Sequence, residues 1–131
     1  MPNFRTAAIT LCAFALASSM AAQEVNVYSY SEPTLIQPLM DGFTEQTGIA
    51  VNVTFFNKGM IERLRAEGKR SPADLVFITD ISRLHNVVSA RLTQPVQDAS
   101  LAQNIPAAYR DLNNHWFSLT TRARIIYATK T

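Results

Sequence analysis

Cysteine is almost missing from this chain of 131 residues: Cys12 stands alone, which excludes an internal disulfide framework and a cysteine-based zinc site. Histidine is scarce too, and His85 and His115 lack metal-ligand spacing, so both read as structural. The four glycines are scattered and form no phosphate-cradling loop. No serine sits in a nucleophile-elbow pattern, and neither histidine has an evident carboxylate to orient it. These gaps disfavour catalysis. A net charge of +2 gives no strong electrostatic case for nucleic acid or an acidic membrane as the main partner. No apolar run reaches the roughly 20 residues that a permanent membrane span needs. What remains is an apolar share of 47% over one domain's length, the mark of a folded chain.

The N-terminus differs from the rest. Arg5 is the sole charge before Glu24, and Ala7 to Ala17 is almost wholly apolar. Small residues follow in Ser19-Met20-Ala21-Ala22. A basic start, a short apolar run and a small-residue exit describe a secretory signal peptide, with cleavage after Ala21 or Ala22. Cys12 lies inside the leader, and Leu11 before it does not suit a lipoprotein. The expected organisation is a signal peptide over 1–22 and one cysteine-free, exported domain over 23–131, carrying 11 basic and 10 acidic residues.

Along that domain, Val25 to Ser29 alternates and is β-rich, predicting a first strand. Leu35, Ile36, Leu39, Met40 and Phe43 predict an amphipathic helix closed by Gly48, with Pro38 distorting its first turn. Ala50 to Phe56 predicts a second strand, and Met60, Ile61 and Leu64 a helix ending at Gly68. A third strand spans Leu75 to Ile78, and Asp80 is placed to cap a helix whose stripe is Ile81, Leu84 and Val88. Gln94 to Asn114 loses periodicity, with one helical turn near Ala107 to Tyr109. Trp116 to Leu119 and Ala123 to Tyr127 read as two closing strands. Strands alternating with helices predict an α/β fold: a mostly parallel sheet with helices on both faces.

Open α/β sheets bind ligands in the crevice beyond the carboxyl ends of their strands. Those ends are Ser29-Tyr30-Ser31-Glu32, Asn57-Lys58-Gly59 and Thr79-Asp80, each opening a helix. Positive helix ends gathered there favour an anion, or a cation taken together with an anion. Tyr30 is the first residue of interest, since hard Fe(III) prefers anionic oxygen donors and stabilises a phenolate. By pattern alone, the plainer reading of Tyr30 is a half-buried strand-end tyrosine with its hydroxyl in water. Glu32 and Asp80 are further oxygen donors, although a first-turn charge and an N-cap describe them more simply. Lys58 could neutralise an anion or be a solvated loop lysine, and Arg122 and Arg124 share one strand face.

Together the residues resemble a known family. The leader, Val25 to Tyr30, Phe43-Thr44-Glu45-Gln46-Thr47-Gly48-Ile49 and Val51-Asn52-Val53 look like the opening of an iron(III)-binding periplasmic component of an ABC importer. Gly59 to Leu64, Ser71 to Leu75, Thr79-Asp80-Ile81, Leu92 to Val96, Asn104-Ile105-Pro106, Tyr109-Arg110-Asp111 and His115 through Arg124 continue the likeness. The resemblance implies a two-lobed periplasmic-binding-protein fold of which this chain is the first lobe, the second being absent by truncation. It implies a periplasmic, non-enzymatic transport protein that is monomeric when full length, binds ferric iron with a synergistic anion such as carbonate, and serves an inner-membrane ABC permease. It makes Tyr30 an Fe(III) ligand, with Arg122 or Arg124 beside the anion. Ser31 departs from the arginine common at that place, and Ser29 from a histidine ligand. The alternatives are a small anion alone (phosphate, sulfate or an organic phosphate), or a fragment without function of its own.

Overall fold

The computed structural model describes residues 23–121. Its frame is a sheet of three parallel strands: β1 (Glu24–Ser29) in the centre, β2 (Ala50–Phe55) on one side and β3 (Leu75–Phe77) on the other. Val27 sits opposite both Val53 and Leu75, so β1 contributes hydrogen bonds in both directions. A central strand of a parallel sheet is buried on both faces, and Val27, Tyr28 and Ser29 are all buried.

The period-two alternation of β1 divides the interior into two clusters. On one face Val27 meets Ile36 and Met40 of helix α1 (Pro33–Thr47), with Val25, Val51, Val53 and Phe77 around them. On the other, Tyr28 meets Met60 and Leu64 of helix α2 (Met60–Glu67), flanked by Phe56, Val76, Ile78 and Leu92. Helices on both faces of a parallel sheet are what the alternating pattern predicts. The structure bears it out.

The local signals explain the ends. Pro33 opens α1, where its missing N–H costs nothing, and the helix runs on through Pro38. Gly48 closes it in the left-handed region (φ 73°), donating its N–H to the Thr44 carbonyl at 2.8 Å. Helix α3 (Ile81–Ser89) starts on Asp80, whose carboxylate accepts the Ser82 and Arg83 N–H groups at 2.7 and 3.4 Å.

Three expectations change. The stripe of α3 is rotated: Val87 is wholly buried, Leu84 and Val88 are half-buried and Ile81 is 59% exposed. The aperiodic stretch holds a helix, α4 (Ala99–Asn104), capped by Asp98 through the Leu101 N–H at 3.0 Å. The expected strand at Trp116 to Leu119 is not a strand. Phe117 makes one isolated antiparallel bridge with Arg110, itself just after a 3-10 turn over Ala107–Tyr109. The expected strand over 123–127, like the signal peptide, lies outside the described residues.

Candidate functional site

The carboxyl end of β1 is locked from both sides. The Phe56 N–H donates to the Ser29 carbonyl at 2.8 Å, and the Tyr30 N–H donates to the Phe77 carbonyl at 3.1 Å. The buried Ser29 hydroxyl then closes the turn on itself. Its Oγ donates to the Ser31 carbonyl and accepts the Ser31 N–H, both at 2.9 Å. A hydroxyl that satisfies its own turn needs no other partner in the interior. The Tyr30 backbone is thereby anchored to all three strands.

Its side chain reaches the other two turns. The phenolic Oη accepts the Met60 N–H at 3.2 Å, from the first residue of α2. Gly59 makes this approach possible, holding a left-handed φ of 81° just before the helix. Over the ring face, the Arg83 guanidinium carbon lies 4.8 Å from the centroid, delivered by the first turn of α3. One tyrosine therefore touches the start of both helices that follow its neighbouring strands. The three turns meet at one rim.

The remaining candidates are placed less centrally. Glu32 is exposed at the N-cap position of α1, where its carbonyl accepts the Leu35 N–H at 3.0 Å and its carboxylate makes no capping bond. Asp80 is exposed and engaged by its cap, and the Ser82 and Arg83 N–H groups hold its carboxyl below the usual range. Lys58 is exposed in the turn before Gly59. Arg122 and Arg124 lie outside the described residues. His115 is hydrogen-bonded to the Thr93 hydroxyl through Nδ1 at 2.9 Å, and His85 is exposed on α3. Among the described residues no cluster of three or more His, Cys, Asp or Glu side chains could hold a metal ion.

Two participants escape sequence reasoning. The Met60 N–H is a backbone group, which a search for side chains passes over. Arg83 was legible in principle, because the third residue after an N-cap lies in the first helical turn and projects near the strand end.

The geometry thus defines a class: a parallel α/β unit with an aromatic oxygen and a guanidinium at the carboxyl rim of its sheet. Known proteins sharpen this. No protein-family model matches the chain. It is 37% identical over 109 residues to iron uptake protein A1 of Synechocystis, covering 82% of this chain and 30% of that protein. It is 35% identical over 119 residues to the Fe(3+)-binding periplasmic protein of Serratia marcescens, covering 88% and 34% respectively. In structure it is similar to apo ferric ion-binding protein A of Pasteurella haemolytica, with a TM-score of 0.75 and 50% identity across 79% of this chain and 32% of that one. The resemblance read in the sequence stands: the homologues are named for iron uptake and for ferric iron binding. The chain spans about a third of the length of the curated relatives it matches.

Proposed function

We propose that the chain is the first lobe of a periplasmic ferric iron-binding protein that delivers iron to an ABC permease of the inner membrane. Residues 1–22 are its cleaved export signal, and 23–131 form the lobe. Tyr30 supplies a phenolate ligand to Fe(III), which is the cargo and is not chemically transformed. The observation that carries this reading is the position of Tyr30 Oη, at the rim where the turns opening α2 and α3 meet.

The chemistry follows from charge. Ferric iron is hard and trivalent, so anionic oxygen satisfies it better than sulfur or neutral nitrogen. A single phenolate leaves excess positive charge, which a synergistic anion such as carbonate would offset. Arg122 or Arg124, with Lys58 in a lesser role, would hold that anion, and Glu32 or Asp80 would act only as subsidiary oxygen donors. The relatives named for iron uptake and for Fe(3+) binding support the cargo, and their greater length leaves room for further ligands from a second lobe.

Visible absorbance tests the proposal. Titrating the full chain with Fe(III) in bicarbonate buffer is expected to raise a tyrosinate-to-iron charge-transfer band. Tyr30→Phe, which keeps the ring and removes the oxygen, is expected to abolish most of it. No band and no iron-dependent thermal shift would overturn the metal assignment. Stabilisation by phosphate or sulfate, unaltered by iron, would select the anion reading instead.

A further inference from the structure

We infer that Arg83 is a positioning residue for the Tyr30 phenol, fixing the plane of the ring and setting the donor strength of its oxygen toward ferric iron. The inference rests on the ferric reading of Tyr30.

A tyrosine side chain needs two constraints to be fully placed. The Met60 N–H, 3.2 Å from Oη, fixes where the oxygen is. Because Oη itself lies on the long axis of the ring, holding that atom restrains rotation about the axis only weakly. A contact on the ring face is what removes this freedom, and the guanidinium carbon 4.8 Å from the centroid supplies it. The plane matters because the phenolate donates to a metal both along its C–O bond and through the π orbital perpendicular to the ring.

The guanidinium is itself well placed for this work. Its residue sits in the first turn of α3, with its N–H donating to the Asp80 carboxylate at 3.4 Å, so the helix cap sets where the arginine starts. Among the described residues no carboxylate forms an ion pair with it, the observed pair being Arg63 with Glu67. A cation stacked on a ring lowers the energy of the ring's π electrons, even though the nearby Asp80 carboxylate offsets part of its charge. In tyrosinate-to-iron charge transfer an electron leaves those orbitals for the metal. A positive charge held on the ring face therefore raises the transition energy.

The experiment is the ferric titration of the full chain, comparing wild type with Arg83→Ala, Arg83→Lys and the control Arg65→Ala on α2. Arg83→Ala is expected to move the band to longer wavelength, by on the order of ten nanometres, as the loss of one cation–π contact implies. Arg83→Lys keeps the charge but not the planar stack, so its band is expected between the two. Arg65→Ala is expected to leave the band in place. A wild-type band that Arg83→Ala does not move overturns the role of Arg83 while the ferric reading stands. A wild type with no band overturns both. If Arg83→Ala fails to melt cooperatively, Arg83→Gln, uncharged but of similar reach, replaces it under the same criteria.

Discussion

At the scale of single residues, two tyrosines two positions apart, one inside β1 and one just past its end, meet different fates. Tyr30 sits at the rim with its oxygen against a backbone N–H. Tyr28 is buried, its ring 4.9 Å from that of Phe56 and its hydroxyl donating to the Glu67 carboxylate at 2.9 Å. That carboxylate also accepts from the Ser71 hydroxyl at 2.7 Å and from the Arg63 side chain. The Ser71 hydroxyl is the first cause holding the Glu67 carboxyl low, helped by Arg63 and Tyr28 against desolvation. Burial, reinforced by the negative neighbour, pushes the Tyr28 phenol above its ordinary value of 10.0. The sign of the consequence follows. Because the folded phenol holds its proton more tightly than the unfolded one, its contribution to stability is full below the unfolded pKa. It is lost as pH rises through the folded value. Urea midpoints measured from about pH 8 to about pH 11 are therefore expected to fall more steeply for wild type than for Tyr28→Phe. Parallel curves would show that the phenol does not couple to folding.

At the scale of elements, the boundaries that carry chemistry were legible and those that depend on packing were not. Strand β1, the Gly48 stop and the Asp80 cap follow from residues that act on their own backbone, so local sequence suffices to place them. The same holds for the three turns and for Tyr30 among them. The stripe of α3 fails this test because a short helix can rotate about its axis, and neighbouring apolar contacts choose the face. Ile81 lies in the first turn, where it is left in solvent, whereas Val87 is drawn fully inside. Helix α4 is too short for periodicity to betray it, and only its Asp98 cap was a readable sign. Trp116 to Leu119 has the composition of a strand but lacks a ladder partner beyond the Arg110 bridge among the described residues. Strand propensity without an edge to join remains loop. A pair of substitutions checks the rotated face. Val87→Ala is expected to cost about 2 kcal/mol, from two buried carbons and the cavity they leave. Ile81→Ala should stay within about 0.5 kcal/mol, as exposed positions do. Denaturant melts giving equal losses would restore the original stripe.

At the scale of the whole molecule, apolar side chains on the outside are as informative as those within. Helix α1 turns Ile36 and Met40 inward, yet Leu35, Leu39 and Phe43 are 76%, 51% and 40% exposed. Positions four apart lie one above another on a helix, so these three form one continuous stripe away from the core. The helix is therefore apolar on two sides, although only one side faces the sheet. Isolated exposed leucines are ordinary on protein surfaces, but a contiguous stripe is a contact surface. Net charge does little to keep copies of the chain apart, since 12 basic residues are nearly balanced by 10 acidic ones. The expected outcome is self-association that grows with protein concentration. Leu39→Lys, in the middle of the stripe, breaks its continuity and adds a repulsive charge while leaving Ile36 and Met40 seated on Val27. Light scattering across a concentration series is expected to show wild type gaining mass at lower concentration than the variant. The thermal midpoint is expected to be almost unaltered, because a side chain half in solvent contributes little to folding. If both proteins scatter alike, the outer face of α1 does not drive association; if the variant instead melts early, Leu39 is a buried residue in solution and the stripe has a partner within the chain.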